Sequence, residues 1–143
     1  MYQKEKELLA EMMDIIVQLR SPQGCLWDRQ QTLETIASNI LEEAQEVFQA
    51  VQSNHQDNLK EELGDLLMVI FMEMEIARGK GLFTYNQVFE GAIKKFIRRH
   101  PHVFGDVKVN SPEEALAMWE KMKREEKLSG EKNYPDEKPT DKK

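Results

Sequence analysis

Residues 41–46 read LEEAQE, and residues 61–65 read EELGD. Each of these two acidic motifs places three carboxylates within a segment whose apolar residues recur with the period of an amphipathic α-helix. The polar stretch SNHQDN (53–58) separates the segments and predicts a turn between them. Two antiparallel helices joined by this turn would hold the acidic motifs side by side. The sequence therefore predicts a central antiparallel helix pair that carries facing carboxylates.

A helical wheel separates the carboxylates by direction. On the first helix of the pair, Glu43 falls within the apolar arc and Glu46 at its edge, whereas Glu42 lies further out. On the second helix, Glu62 falls within the apolar arc and Asp65 at its edge. If the turn is centred near residue 54, antiparallel pairing opposes Glu43 with Asp65 and, one turn away, Glu46 with Glu62. The pattern predicts that four carboxylates converge between the helices.

Four anions in a partly apolar seam must be neutralised, because unpaired ions there repel one another and lose hydration. Protonation, ion pairs with cationic side chains, or a bound metal ion would each serve. Ligands that are all oxygen atoms select a hard cation such as Mg²⁺, or its substitute Mn²⁺. A di-iron bundle would need Glu-x-x-His motifs, and the sequence contains none.

The alternative interpretation treats these glutamates as solvated helix faces or salt-bridge partners, and spacing by itself leaves both interpretations open. Glu61 is better explained as part of a capping box in which Asn58 is the N-cap. Glu42 stands between the two interpretations, as a neighbour of the metal site or as a solvated residue.

Composition indicates a single soluble globular domain. The chain has 143 residues, of which 40% are hydrophobic and 32% charged, and this length is typical of one domain. The longest apolar run, LLMVIFM (66–72), is too short to span a bilayer, and no signal-peptide pattern is present at the N-terminus. The single cysteine, Cys25, excludes an intrachain disulfide and suits the reducing cytoplasm. The net charge of −6 argues against nucleic acid as a partner.

The periodic segments predict an all-α fold, a bundle of about five helices. Helices are predicted over residues 4–20, from the N-cap Thr32 to the turn, from Asn58 to about Arg78, from Thr84 to Arg99, and from Ser111 to about Lys127. The third helix should be the most buried, because it is apolar around most of its circumference. The fourth should bury Val88, Phe89, Ala92, Ile93, Phe96 and Ile97. We assign residues 1–128 to the helical domain and expect disorder in the polar tail, residues 129–143.

Several motifs resemble those of a known family. EEAQE followed by EELGD resembles the EExxE…ExxD signature of the MazG-type nucleoside triphosphate pyrophosphohydrolases, an all-α family. GCLWDRQQT (24–32), KKFIRRHPHVFGD (94–106) and WEKMKREEK (119–127) are similar to further motifs of that family and occur in the same order. Leu26 departs from the pattern, which has proline there, and leaves the loop before Trp27 less rigid.

The resemblance implies a reaction and a site. Members hydrolyse ribo- or deoxyribonucleoside triphosphates to the monophosphate and pyrophosphate with Mg²⁺, and they assemble as homodimers or homotetramers. Their metal ligands correspond to Glu43, Glu46, Glu62 and Asp65. We expect Glu42 or Glu46 to orient or deprotonate the water that attacks the α-phosphorus.

Basic residues four apart on the predicted helices could bind a triphosphate: Lys94 with Arg98, Lys95 with Arg99, and Lys123 with Lys127. By itself the pattern is better explained as basic helix ends that compensate the helix dipole. The resemblance implies phosphate contacts for Lys95, Arg99 and Lys123, and Arg98 is predicted to bind the substrate with them. It also favours Trp119, which shares a helix face with Lys123, as a residue that stacks on the base.

Other residues with chemically useful side chains are given lesser roles. Trp27 lies in a polar loop and is the alternative stacking residue. His100 and His102 flank Pro101, would suit zinc or iron better than Mg²⁺, and are interpreted as part of a structural turn. Cys25 has no activating neighbour in sequence and is not expected to be a nucleophile.

Two other functions are compatible with the sequence. A non-catalytic helical module would dimerise through its apolar helices and bind a nucleotide or protein without turnover. A base-selective dUTP or dCTP hydrolase of the related all-α group would differ in base choice. The complete set of four carboxylates favours an enzyme over a binding module, and the segments RRHPHVF (98–104) and WEKMK (119–123) favour the MazG-type assignment.

Overall fold

The computed structural model describes residues 1–130 of the chain. These residues form helices and no strand: α1 (Gln3–Leu19), α2 (Leu26–Gln30), α3 (Leu33–Gln52), α4 (Gln56–Gly79), α5 (Tyr85–Arg99), α6 (Pro101–Phe104) and α7 (Pro112–Ser129). The all-α prediction is confirmed. The chain divides into two compact units, residues 1–88 and residues from 89 onward, and each is described by itself. The prediction of a disordered tail lies outside the described residues from position 131 on, while Ser129 still belongs to α7.

Three helix starts follow the local signals in the sequence. The Thr32 side chain accepts a hydrogen bond from the backbone N–H of Thr35 at the start of α3. Before α5, Thr84 and Gln87 exchange backbone and side-chain hydrogen bonds at 2.8 and 3.2 Å, which form a capping box. Ser111 accepts from the N–H of Glu114 at the start of α7. Each cap satisfies an N–H that the helix itself leaves without a partner.

The predicted start of the second acidic helix is wrong. α4 begins at Gln56, and its N-cap is His55, whose Nδ1 accepts a hydrogen bond from the N–H of Asn58 at 3.1 Å. Asn58 is therefore inside the helix, and Glu61 no longer occupies the N3 position of a capping box. The signal was missed because a neutral imidazole can cap a helix through its acceptor nitrogen, although histidine is not among the preferred N-cap residues.

Residues 1–88 are organised by the hairpin of α3 and α4, with α1 packed against α4. The buried apolar residues of this unit are Ile16, Ile36, Ala50, Phe71, Met72, Ile76 and Ala77. Four of them lie on α4, which confirms that the second acidic helix is the most buried. The turn occupies Ser53–His55, and Asn54 adopts a left-handed conformation with φ 55°. The predicted midpoint near residue 54 is therefore confirmed.

An ion pair between buried Glu75 and exposed Arg78 fixes the C-terminal end of α4. Glu75 is almost fully buried and accepts hydrogen bonds from Arg78, and from the hydroxyl of Tyr85 at 2.9 Å. The hydrogen bonds from Arg78 hold the pKa of the Glu75 carboxyl below its usual value, although burial opposes this. Because Tyr85 is the first residue of α5, this cluster ties the loop after α4 to the helix that precedes it.

Two short helices interrupt segments that the sequence predicts as irregular. α2 lies within the predicted loop 21–32, where the guanidinium of Arg20 donates hydrogen bonds to the carbonyls of Asp28 and Gln31 and so caps its last turn. α6 begins at Pro101, after His100 has left helical geometry (φ −123°, ψ 56°). Five and four residues are too few for periodicity to reveal a helix.

The apolar face of α5 is less buried than predicted. Val88 and Phe89 are half-buried, but Ala92, Ile93, Phe96 and Ile97 are exposed. The periodicity correctly marked an apolar face, and within the single chain much of that face is left uncovered. None of the helices in residues 1–130 combines the length and hydropathy needed to cross a membrane, and the cytoplasmic location stays a prediction.

We expect the substitution Gly24→Ala to lower the free energy of unfolding by about 1–3 kcal/mol. The added Cβ would collide with the backbone carbonyl oxygens of Leu19 and Gln18. The Leu19 oxygen is held in place because it accepts a hydrogen bond from the N–H of Cys25 at 2.9 Å. Urea unfolding followed by circular dichroism measures the effect.

Gly91→Ala is the matched control, because it lies inside α5 and its Cβ would meet no atom within 4 Å. Alanine there should raise the free energy of unfolding by about 0.5–1 kcal/mol. If the two variants were equally stable, the steric explanation for Gly24 would be wrong.

Candidate metal centre

The hairpin of α3 and α4 brings the acidic motifs together. Carboxylate oxygens of Glu43, Glu62 and Asp65 all lie within 4.8 Å of one another. Glu46 lies close enough for its charge to act on both Glu43 and Glu62. The antiparallel register predicted from the sequence therefore places these four side chains in one cluster, which we call the carboxylate cluster.

Burial within the carboxylate cluster follows the helical wheel. Glu43 and Glu62 are half-buried, whereas Glu46 and Asp65 are exposed. One carboxylate oxygen of Glu43 and one of Glu62, Oε2 in each case, is buried without a hydrogen-bond partner. Among residues 1–130, no lysine or arginine forms an ion pair with any of the four. The chain thus leaves buried anionic oxygens that its own described side chains do not compensate.

Burial and the neighbouring carboxyl groups raise the pKa values of the two inner glutamates. Burial is the largest cause for Glu43, followed by the charge of Glu46. For Glu62 the pKa rises to about 7, chiefly because the carboxyl group of Glu46 hydrogen-bonds to its protonated form, with burial as the second cause. Without a cation, bound protons neutralise part of the negative charge of the carboxylate cluster at neutral pH.

The donor set fits a hard divalent cation. All four side chains offer oxygen, the ligand atom that Mg²⁺ and Mn²⁺ prefer. The buried Oε2 atoms of Glu43 and Glu62 lack the hydrogen bonds that buried polar atoms ordinarily make, and a cation would satisfy both. Glu42 and Glu61 are exposed and lie outside the group of converging oxygens. The assignments of Glu42 and Glu46 to catalysis stay predictions. So do the assignments of Glu43, Glu46, Glu62 and Asp65 to the metal.

The second unit gathers three of the predicted substrate-binding residues. Arg98 and Arg99 both donate hydrogen bonds to the buried carboxylate of Glu126. The guanidinium carbon of Arg99 lies 4.9 Å from the centre of the Trp119 ring, which is a cation–π distance. Lys95 and Lys123 are half-buried. The substrate-binding roles of these residues stay predictions.

Glu126 is the residue that the sequence interpretation missed. It falls seven positions after Trp119 and three after Lys123, so all three share one face of α7. It also lies within the motif WEKMKREEK that supported the family resemblance. The helical spacing was therefore available, but the partners of Glu126 lie 27 and 28 residues away in sequence, and local spacing does not reveal them.

An aromatic cluster surrounds Trp119. The ring of His100 meets Trp119 edge-on at 5.1 Å, and Phe96 does so at 5.7 Å. The Nδ1–H of His100 donates to the carbonyl of Phe96 at 2.6 Å, which leaves Nε2 as the acceptor nitrogen of the neutral ring. These contacts agree with a structural role for the turn at Pro101. Trp27, the alternative stacking residue, lies on α2 with 58% of its surface exposed.

Comparison with known proteins identifies the family. Residues 31–104 match the sequence profile of the MazG nucleotide pyrophosphohydrolase domain. The chain belongs to the MazG nucleotide pyrophosphohydrolase family. The matched residues include both acidic helices and the carboxylate cluster, so the cluster lies inside the part of the chain that defines MazG proteins.

Individual MazG relatives are similar over most of this chain. It is 43% identical over 120 residues to the nucleoside triphosphate pyrophosphohydrolase/pyrophosphatase MazG of Thermotoga maritima, covering 84% of this chain and 46% of the relative. It is 41% identical over 117 residues to a nucleoside triphosphate pyrophosphohydrolase of Escherichia coli, covering 81% of this chain and 44% of the relative. The chain thus spans less than half the length of these relatives.

A solved structure shares the MazG fold. The crystal structure of a mazG-related protein from Thermotoga maritima superposes with a TM-score of 0.69 at 29% sequence identity, covering 80% of this chain and 98% of that one. The match extends the family assignment from sequence to the arrangement of helices.

We expect the metal-free MazG chain to lose stability as the pH rises from about 5 to about 8. The pKa of Glu62 is about 7 in the folded state against 4.5 as its ordinary value, so the folded state binds more protons in this range. Its free energy of unfolding must then fall as the pH increases. Urea unfolding in EDTA at several pH values measures the slope.

Glu62→Gln should remove most of that slope, because the amide does not titrate. Glu61→Gln is the matched control, since Glu61 precedes it on α4 but is exposed and outside the carboxylate cluster; it should keep the wild-type slope. A Glu62→Gln variant with an unchanged slope would rule out proton uptake by Glu62.

Proposed function

We propose that this chain hydrolyses nucleoside triphosphates to the nucleoside monophosphate and pyrophosphate with a divalent cation. The observation that carries the proposal is the carboxylate cluster, whose buried, uncompensated oxygens call for a cation. Relatives named nucleoside triphosphate pyrophosphohydrolases match more than four fifths of the chain, which supports the same reaction. Both the ribo- and the deoxyribo- series are candidate substrates.

Glu43, Glu46, Glu62 and Asp65 are proposed to hold the cation, Mg²⁺ or its substitute Mn²⁺. When bound, the cation supplies Lewis-acid chemistry, since it neutralises charge on phosphate oxygens and makes water more acidic. The half-buried pair, Glu43 and Glu62, would lie deepest in the seam, whereas Glu46 and Asp65 face solvent. Loss of either inner carboxylate should therefore remove a ligand that solvent cannot easily replace.

The chain's own carboxylates are proposed to manage the proton of the reaction. An oxygen of water forms a bond to the α-phosphorus while the bond from that phosphorus to the β-phosphate oxygen breaks. The water's proton passes to Glu42 or Glu46, which are exposed on α3 beside the inner ligand Glu43. Pyrophosphate then leaves, and the nucleoside monophosphate retains the new oxygen.

Binding of the triphosphate is proposed for the basic residues of the second unit. Their charges would compensate the phosphates. The residues are Lys95, Arg98, Arg99 and Lys123. Trp119 is proposed to stack on the base, although one face of its ring is already covered by Arg99.

We also propose that the chain assembles as a homodimer or homotetramer. α3 carries an apolar stripe, formed by Leu41, Phe48 and Val51, whose exposed fractions are 74%, 62% and 55%. These positions repeat at intervals of seven and three, as in helices that pack against another helix. A second copy of the chain would cover the stripe, which lies on a different side of α3 from the carboxylate cluster.

We expect the purified protein with Mg²⁺ to convert at least one of the eight common nucleoside triphosphates to monophosphate and pyrophosphate, measured by ion-exchange chromatography. Glu43→Gln and Glu62→Gln should each lower kcat/KM by about 100-fold or more, because even the loss of a residue that supports a metal ligand costs 10–100-fold. Glu61→Gln should stay close to wild type.

Three outcomes would count against this proposal. Release of orthophosphate and nucleoside diphosphate would contradict attack at the α-phosphorus. Tight nucleotide binding without any product would favour the non-catalytic module. Activity confined to dUTP or dCTP would favour the base-selective hydrolase.

We expect Phe48→Glu to lower the mass of the assembly in light scattering coupled to size-exclusion chromatography, because a charge would then have to be buried in the apolar stripe. Gln49→Glu adds the same charge at the next position, which is also exposed but lies about 100° away around the helix. That control should assemble like wild type. If Phe48→Glu kept the wild-type mass, the stripe would not be the interface.

A further inference from the structure

Glu126 is a buried acid in the second unit that the proposed reaction does not use. Only 2% of its surface is exposed, and its carboxylate joins two neighbouring arginines. Oε1 accepts from Nε of Arg98 at 2.9 Å and from Nε of Arg99 at 3.1 Å, while Oε2 accepts from Nη2 of Arg99 at 2.8 Å. One carboxylate thus links the C-terminal end of α5 to the last turns of α7.

The three charged groups form a permanent arrangement with one net positive charge. The hydrogen bonds from Arg99, and then those from Arg98, lower the pKa of Glu126 to about 2 although burial opposes them. Glu126 therefore stays ionised at any pH at which the protein is used. A buried carboxylate with two guanidinium partners holds both of them in place, since moving either would break charge-assisted hydrogen bonds to a buried group.

The two arginines are placed differently. Only 6% of the Arg99 side chain is exposed, and its guanidinium lies between Glu126 and the ring of Trp119. The Arg98 side chain is 36% exposed. It lines a cavity of about 240 Å³, whose other lining residues are Met122, Glu125, Glu126 and Ser129. Arg99 is thus fixed between the carboxylate and the indole, whereas Arg98 also borders a surface where a ligand can approach.

We propose that Glu126 is a positioning residue for nucleotide binding, which fixes Arg98 at the wall of this cavity and Arg99 against Trp119. This inference rests on the proposed function, because it assumes that Arg98 contacts substrate phosphate. An arginine that is already ordered loses less side-chain entropy when it binds an anion, which is worth up to about tenfold in affinity per side chain. Glu126 acts through the arginines, because both of its carboxylate oxygens are engaged by them.

The test compares Glu126→Gln with wild type in steady-state hydrolysis of the nucleoside triphosphate that wild type uses best. KM should rise about tenfold while kcat changes less than about threefold, because the residue orders a binding group and not the reacting atoms. Glu120→Gln is the matched control on the exposed side of α7; both of its constants should match wild type. A fall in kcat with unchanged KM, or a lower melting temperature with both constants unchanged, would overturn the proposal.

A double-mutant cycle tests whether Glu126 acts through Arg98. Arg98→Met should raise KM by itself, and adding Glu126→Gln to it should raise KM by less than Glu126→Gln does in wild type, since one of the two positioned arginines is gone. Multiplication of the two separate effects would show that Glu126 does not work through Arg98. If Glu126→Gln does not fold, Glu126→Asp replaces it: the charge is kept, but the shorter side chain cannot bridge both arginines, and KM should still rise.

Binding of α,β-methylene-ATP by calorimetry separates this inference from the proposed function. If wild type shows no hydrolysis but binds this analogue, and Glu126→Gln weakens binding about tenfold, the reaction is wrong and the positioning role holds. If wild type hydrolyses and Glu126→Gln binds and reacts like wild type, the reaction holds and the positioning role is wrong. If wild type neither hydrolyses nor binds, both fail.

Discussion

The packing of α3 against α4 forces like charges together, and the chemistry of the chain depends on this constraint. Hydrophobic burial along the hairpin fixes the register, and that register sets Glu43 and Glu62 inside the seam. Burial of apolar residues such as Phe71 and Ile76 stabilises the helix pair. This stabilisation offsets the repulsion and lost hydration of the crowded carboxylates. The apolar core thus holds the carboxylate cluster in place even without a cation, although the crowded carboxylates by themselves destabilise the folded state.

In the second unit, positive charges are crowded and a buried carboxylate lies between them. Two arginines adjacent in sequence would repel each other, and Glu126 lies buried between them with three hydrogen bonds. In the first unit anions lack compensating cations among the described residues, whereas in the second an anion is satisfied in full. The carboxylate cluster thus needs a cation from outside the described residues, whereas the Glu126 carboxylate is already compensated by arginines within them.

The sequence predicted those features that arise within a few residues of one another. Thr32, Thr84 and Ser111 cap helices through contacts three residues away. The helical wheel gave the direction of Glu43 and Glu62, and the short turn gave the register that brings them together. The cap at His55 was missed since histidine caps depend on the protonation state of the ring. Long-range partners such as Arg99 and Glu126, and the uncovered state of Ile93, depend on tertiary packing, which periodicity does not encode.

The length of the turn between α3 and α4, which contains Asn54, matters for the carboxylate cluster. Surface loops ordinarily accept insertions, because their length has little effect on the packed elements. If α4 took up one added residue as a one-position shift of its register against α3, its side chains would turn by about 100°, and Glu62 would leave the seam even if both helices stayed intact. Such a register shift at a three-residue turn, which contains none of the proposed ligands, would disperse the carboxylate cluster while keeping the helices.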